Sequence, residues 1–302
     1  MAELGKGRIM NTHLPLAIVA VALVACGAAK NPSATDAVDS EAAATPAVEA
    51  PAADASASPL DAALAAAHRA PEHRARDAFR NPKATLEFCG VTADATVVEL
   101  SPGGGWYAEI LAPFLAKSGS YVAAVPSAEG KRAKYRKRFT DRVEAEEEVF
   151  AGTTVATFDP PEAVDLGEPG SADVVLTFRN THSWIRDDAE APAYEAVFDA
   201  LKPGGTFCVV QHRLPEDAEL EEGARERGGY VKQSYVVDVA GKAGFELDAS
   251  SEINANAKDS ADHPKGVWTL PPSLALGDED RETYAAIGES DRMTLRFKKP
   301  EQ

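Results

Sequence analysis

The chain has 302 residues, 44% of them hydrophobic and 26% charged, enough to bury a sizeable core in one large domain with extra segments. Its formal net charge of -17 argues against broad contact with nucleic acid or an anionic membrane, because a phosphate-rich surface needs a basic face to displace its counterions. A small molecule or a cationic partner suits it better.

In chain order, Lys6 and Arg8 precede an apolar run, LPLAIVAVALVA, that ends at Cys26. A membrane span needs about 20 apolar residues, so this shorter run reads as a signal peptide over 1–26. Its last four residues, Leu23-Val24-Ala25-Cys26, resemble the bacterial lipobox, which implies lipidation of Cys26. An ordinary cleaved signal or a buried hairpin are the alternatives. Gly27 follows where an aspartate would signal retention, which by the same resemblance favours the outer membrane, with the body facing the periplasm. If the signal is not used, the location is cytoplasmic. Residues 27–59 are almost only Ala, Pro, Ser, Thr, Asp and Glu and cannot recover their ordering entropy, so they predict a disordered tether. The expected membrane contact is therefore the lipid anchor alone.

The folded body is expected over 60–302. Helical patterns cover 60–70 and 72–79, and Asn81-Pro82 opens another helix over 82–91. Strands are predicted at 96–100, 120–125, 153–158, 172–178, 206–212, 245–253 and 292–299. The first five are apolar, β-branched runs of the kind buried on both faces of a sheet, and helical stretches separate them. The last two are more amphipathic, which suits an edge. The pattern predicts an α/β fold: a doubly wound, Rossmann-like sheet of about seven strands, mostly parallel, with an antiparallel edge strand. Ligands of such sheets sit beyond the carboxyl ends of the strands, where strand order reverses. That rule selects Glu99 with Ser101 to Gly105, Pro126 and Ser127, Asp159, then Arg179, Asn180 and His182, and finally Gln211, His212 and Arg213.

Two cofactors compete for the stretch ELSPGGGWYA. Read as G-x-G-x-x-A, Gly103, Gly105 and Ala108 match a dinucleotide fingerprint, but the second strand ends AAVPS, without the acid that should hold a ribose. Read as E-x-S-x-G-x-G, it resembles the first motif of class I S-adenosylmethionine-dependent methyltransferases, with Ser101 replacing that family's first glycine. An acid there suits a positive sulfonium and would repel a pyrophosphate. ALKPGGTFCVV over 200–210 resembles the family's turn into strand five, and Asp159 stands where the family often contacts adenine. The likeness runs over about 81–299. VVELSPGGGWYAEIL, FRNTHSW, VQHR, LPPSL and IGESDRMTLRF together look like a group of predicted bacterial methyltransferases whose members often carry secretion signals. The resemblance implies S-adenosyl-L-methionine as cofactor, held by Glu99, Ser101, Gly103, Gly104, Gly105, Asp159, Arg179 and Asn180. Glu129 is a poor substitute for the missing ribose acid.

His182 and His212 are the candidate catalytic residues, since a neutral imidazole can accept the proton of an attacking hydroxyl or amine. Trp106, Tyr107 and Trp184 could present ring faces to a sulfonium. Arg213 could bind an anion or pair with nearby acids, and Tyr230, Asn254, Asn256, Glu289 and Asp291 are possible rim contacts. The long connection around Trp268, Pro271 and Pro272 has the length of a lid or binding loop. His68 and His73 read as solvated, as does the basic run KRAKYRKR over 131–138. Spacings of His182, His212 and His263 with Asp259 or Asp262 match no ligand pattern, so no metal site is expected. Cys89 and Cys208 read as buried thiols, with a disulfide between them the alternative that an oxidising compartment would permit.

The reading is methyl transfer from S-adenosyl-L-methionine to a small-molecule acceptor. That cofactor is made in the cytoplasm, so a secretion signal favours a second reading, a non-catalytic lipoprotein that keeps the fold as a binding module. Nicotinamide-linked oxidoreduction rests on the weaker glycine match.

Overall fold

A computed structural model of the chain describes residues 58–301. The expected signal peptide, Cys26 and nearly all of the expected tether lie outside the described residues. Ser58 caps the first helix, its hydroxyl accepting from the Asp61 amide at 3.2 Å, and α1 begins at Pro59.

The helices are α1 (Pro59–Ala65), α2 (Pro71–Arg74), α3 (Asp77–Arg80), α4 (Pro82–Phe88), α5 (Ala108–Leu115), α6 (Ala133–Ala145), α7 (Thr181–Arg186), α8 (Glu190–Ala200), α9 (Gln233–Lys242) and α10 (Arg281–Ile287). The strands are β1 (Thr96–Leu100), β2 (Ser120–Val125), β3 (Thr154–Asp159), β4 (Ala163–Asp165), β5 (Ala172–Phe178), β6 (Leu201–Leu214), β7 (Val231–Lys232), β8 (Glu246–Ser251) and β9 (Arg292–Lys298). They form one sheet in the order β4-β3-β2-β1-β5-β6-β9-β8, with β7 beside the end of β6. The five long strands β3, β2, β1, β5 and β6 are parallel, whereas β4 and β9 run antiparallel to their neighbours.

The mixed, doubly wound sheet is as the periodicity predicts. Two of its antiparallel members are placed more finely than the pattern could. β4 is a three-residue edge strand too short to show a period, and β9 sits one place inside the other edge, where it is buried, leaving exposed β8 outermost. The Leu201-Lys202-Pro203-Gly204-Gly205 stretch belongs to β6 itself: Ala172 pairs with Leu201 and Val174 with Thr206, so four residues bulge out opposite Asp173.

Alternation along β1 divides the core. Val97 faces a cluster with α1, α4 and α5, while Val98 and Leu100 face one with α7, α8 and α9. Cys89, at the end of α4, and Cys208, in β6, meet with Cα atoms 5.5 Å apart and form a disulfide. This corrects the expectation of two free thiols: a sequence separation of 119 hides an adjacency that only the packing of α4 on the sheet creates.

Candidate functional site

Strand order reverses at β1, flanked by β2 and β5, and the chain leaves β1 through a tight loop. Ser101, Gly103 and Gly105 have φ of 49°, 62° and 79°, all left-handed. Glycine adopts that region freely, and Ser101 does so with a Cβ, which explains why related motifs place glycine there. Arg142 of α6 braces the loop from behind, donating from Nη1 to the carbonyls of Gly104 (2.8 Å) and Gly105 (3.1 Å) and from Nη2 to Glu109 (2.7 Å). Glu109, in the first turn of α5, is fully buried and also holds Arg69 (3.0 Å) and His73 (2.8 Å). This knot ties the loop to the N-terminal helices. It also corrects two histidines expected to be solvated: His73 Nδ1 lies 2.8 Å from the Glu109 carboxylate, and His68 contacts the Glu109 carbonyl at 2.8 Å.

The tips of β1, β5 and β6, the α2–α3 segment and the connection after Gly266 enclose a cavity of about 430 Å³. Glu99, Ser101, Gly103, Gly104, Arg179, Asn180, His182 and His212 all line it. Gly105 lies beneath the loop instead, where an added Cβ would approach Arg142 to 3.1 Å. The Glu99 carboxylate accepts from the Tyr121 hydroxyl at 2.6 Å. Burial, partly offset by Tyr121 and Arg179, pushes its carboxyl up to about 7.

The two histidines are neutral at neutral pH. Burial, then the Arg186 charge, lowers His182 to about 4, and burial with His182 and Arg179 beside it holds His212 well below its usual value. Their hydrogen bonds differ. The Gln211 amide nitrogen is fixed by the Gly229 carbonyl at 2.9 Å and donates to His182 Nδ1 at 3.3 Å. The neutral His182 ring therefore carries its proton on Nε2 and is a donor, not the proton acceptor expected from sequence. His212 Nδ1 lies 2.6 Å from the Ser290 hydroxyl and can donate there, leaving Nε2 as an acceptor.

Sequence reasoning named Glu289, Trp268, Pro271 and Pro272 on one wall of the cavity and missed Arg76, Arg80 and Ser290 beside them. Arg76 and Arg80 enter from the N-terminal helices, Glu289 and Ser290 precede β9, and Trp268, Pro271 and Pro272 also line the cavity. Glu289 receives Arg76 (2.7 Å), Arg292 (3.0 Å), Arg80 (3.1 Å) and Arg179 (3.6 Å). Burial opposes its ionisation, but the four arginines outweigh burial and hold its carboxyl at about 2. Of the other expected rim residues, Tyr230 donates to Asp259, Asn254 bonds Thr85 and Thr294, Asn256 bonds backbone, and Asp291 with Glu252 pairs Arg213; none lines the cavity. Trp106 and Tyr107 do line it, but a face of Trp106 carries Arg80 at 4.6 Å and Tyr107 stacks on Phe178 at 3.6 Å.

Across the loop, a smaller cavity of about 230 Å³ opens at the tips of β2 and β3, between Val125, Pro126, Tyr135, Phe158 and Trp184. Asp159 lines neither cavity: it ion-pairs with Arg132 and accepts from the Ser127 amide at 3.1 Å. The expected adenine contact is thus engaged within the protein. Arg132 and Arg138 belong to the run expected to be solvated, yet Arg132 seals Asp159 and Arg138 lines the main cavity. Glu129 is exposed and reaches neither.

No protein-family model and no curated protein matches the chain. Solved structures do. A SAM dependent methyltransferase from Aquifex aeolicus is 12% identical with a TM-score of 0.50, over 74% of this chain and 93% of that one. A geranyl diphosphate methyltransferase, solved with GPP and sinefungin, is 10% identical with a TM-score of 0.50, over 73% and 78%. The cyclase SpnF, 16% identical with a TM-score of 0.53 over 74% and 82%, has the same architecture under a different named activity. At such identities the likeness is one of fold. The chain has the Rossmann-like fold of class I S-adenosylmethionine-dependent methyltransferases.

Proposed function

We propose that the chain binds S-adenosyl-L-methionine and transfers its methyl group to a small-molecule acceptor. The observation that carries this reading is the pairing of a carboxylate, Glu99, with a loop of bare, left-handed backbone on one wall of a cavity at the switch point of the sheet. The donor set fits a cationic ligand: an acid at the tip of β1 repels a diphosphate and attracts a sulfonium. The loop leaves room for a close approach too, for a Cβ at Gly103, which lines the cavity, would meet nothing within 4 Å.

Bound, the cofactor supplies an electrophilic methyl on a positively charged sulfur. Glu99, Asn180 and the backbone of 101–104 would hold it. Asn180 is preset by its own amide, which donates to the Leu100 carbonyl at 2.9 Å and so fixes the tip of β5 against β1. His212 Nε2 is placed to accept a proton from an acceptor's hydroxyl or amine, and His182 donates a hydrogen bond beside it, their ring centres 5.6 Å apart. Trp268, its ring centre 5.7 Å from that of His182, meets that ring edge-on and adds an apolar face to the cavity.

Calorimetric titration of the full chain with S-adenosylmethionine, S-adenosylhomocysteine and NAD tests the reading. The first two should bind and raise the melting temperature by mass action, and NAD should not. No response to either of the first two would remove it.

A second reading, ligand binding without transfer, is favoured by one observation: Asp159 is tied to Arg132 and β2 ends in Val125-Pro126, so the smaller cavity offers no free carboxylate. Binding of the cofactor with no methyl loss to a panel of alcohols, amines and carboxylic acids would select it.

We also propose that Cys26 is lipidated and anchors the chain in the cell envelope. The Cys89–Cys208 disulfide supports an oxidising compartment. Palmitate labelling of wild type should vanish in Cys26→Ala; equal labelling of the two would refute the anchor.

A further inference from the structure

The main cavity gathers more positive charge than its acids balance. Arg76, Arg80, Arg138 and Arg179 line it, and three of these, Arg76, Arg80 and Arg179, with Arg292 beside them, surround the single carboxylate of Glu289, a surplus of three charges around that acid. Glu99 is the other acid of the cavity, and its burial works against its ionisation. Neither histidine adds to or offsets the surplus at neutral pH. A protein of net charge -17 has ample acid to neutralise such a cluster, yet places only one carboxylate within it. Charge held away from water is costly unless it is paired, so a cluster of this kind is completed by an anion.

The four arginines around Glu289 are not equivalent. Arg80 and Arg292 are almost wholly buried and engaged: Arg80 bonds Glu289 and lies over Trp106, and Arg292 bonds Glu289 and the Phe79 carbonyl. Arg76 meets Glu289 through Nε. Arg179 differs from all three. Its nearest carboxylate oxygen is 3.6 Å away, and among the described residues its side chain makes no hydrogen bond. Its backbone holds φ of 66°, a left-handed conformation rarely taken by a residue with a Cβ, at the tip of β5 on the cavity wall. Strain and unengaged donors on one cavity-lining residue are the marks of a ligand contact.

We propose that the methyl acceptor carries an oxyanion, a carboxylate or a phosphate, that docks between Arg76 and Arg179 and turns its nucleophilic end toward His212. This deepens the methyl-transfer reading and rests on it. The planar guanidinium fork matches either oxyanion through paired hydrogen bonds, which a lysine would not supply. Bound there, the anion also lies in the field that holds His212 neutral, and so makes that ring a better proton acceptor.

The full chain is titrated calorimetrically with inorganic phosphate, with benzoate and with benzyl alcohol as neutral control, at fixed ionic strength, with and without saturating S-adenosylhomocysteine. One oxyanion or both should bind saturably, the alcohol should not, and binding should persist with S-adenosylhomocysteine present. Preference for phosphate or for benzoate identifies which oxyanion the acceptor bears. Arg179→Gln and Arg76→Gln should each weaken the binding about tenfold or more. If Arg179→Gln fails to fold by circular dichroism, Arg76→Gln, which alters a partly exposed side chain, carries the test. Lack of saturable binding overturns the proposal. So does loss of binding when S-adenosylhomocysteine is added, which would give the arginines to the cofactor's own carboxylate. S-Adenosylhomocysteine is also titrated alone: its failure to bind, beside arginine-dependent oxyanion binding, would sink methyl transfer and leave the anion site standing.

Discussion

The carboxyl edge of the sheet has two unlike halves. Over β1, β5 and β6, charged side chains crowd a cavity of about 430 Å³ and are unevenly matched, with Arg179 short of partners, Glu99 raised to about 7 and His212 held neutral. Over β2 and β3, Asp159, Arg132 and the Ser127 amide engage one another, and the cavity of about 230 Å³ between them is lined largely by Val125, Phe158 and Trp184. One half keeps polar groups available to a ligand, and in the other the acid at the strand tip is paired within the protein. Since buried polar groups are ordinarily satisfied, the half that leaves them available is where recognition chemistry belongs.

The largest expected effect lies beneath the loop that separates the halves. Glu109→Ala leaves Arg69, His73 and Arg142 converging on nothing, and removing one partner of a buried ionic cluster costs about 3–5 kcal/mol. Urea melts should show that loss. A change under about 1 kcal/mol, the worth of an exposed pair, would show that the loop stands without the knot.

Next comes acid stability, in which two groups of the charged half act in opposite directions. His182 titrates near 4 in the folded chain and near 6.5 when unfolded, so the unfolded state binds more protons between those values. The stability its neutral form contributes is complete above about pH 6.5 and is lost as pH falls toward 4, no more than about 3 kcal/mol in all. Glu99 acts oppositely: raised to about 7, it favours the folded chain at low pH and that contribution is lost as pH rises from about 4.5 through 7. Replacing His182 with Gln should flatten the acid limb of a stability profile measured from pH 4 to 7; an unchanged limb would place the acid sensitivity elsewhere.

Much of this arrangement is legible in the chain and some of it is not, for physical reasons. Buried parallel strands are mostly apolar and β-branched, and an acid followed by a loop rich in glycine at the end of such a strand has few uses, so Glu99, Ser101 and the β5 tip residues Arg179, Asn180 and His182 are found from local pattern alone. The cationic wall is not local. Arg76 and Arg80 reach Glu289 across 213 and 209 residues, and in sequence they are only two arginines four apart in a polar helix. Asp159 fails differently: its position is right, but the side chain that holds it, Arg132, comes from a basic run that reads as solvated until α6 is packed on the sheet. The His182 tautomer depends on Gln211 and Gly229, whose meeting no periodicity encodes.

A third expectation sharpens the ligand half. A sulfonium beside Glu99 favours its ionised form, so cofactor binding releases a proton there. Affinity for S-adenosylmethionine should rise about tenfold between pH 6 and pH 8 and then level, because the ionised fraction of a group near 7 grows by about that factor. Calorimetry in buffers of different ionisation enthalpy measures the released proton. Glu99→Gln should bind more weakly and without the pH slope, and a slope that survives the substitution would move the titrating group elsewhere.

The smallest expected effect tests the closed half. The Asp159 side chain is 12% exposed and Arg132 27%, so their pair is partly solvated and worth at most about 1 kcal/mol. Because the carboxylate faces Arg132 and the Ser127 amide and lines neither cavity, Asp159→Asn should change affinity for S-adenosylhomocysteine by less than about twofold, beside the far larger loss at Glu99. Arg132→Ala divides the outcomes further. If the pair merely closes the β2–β3 edge, freeing Asp159 leaves binding unaltered. If Arg132 swings away and Asp159 turns to the ligand, Asp159→Asn should weaken binding about tenfold and Arg132→Ala should strengthen it. That pattern would erase the difference between the two halves, since both would then hold the same molecule through carboxylates.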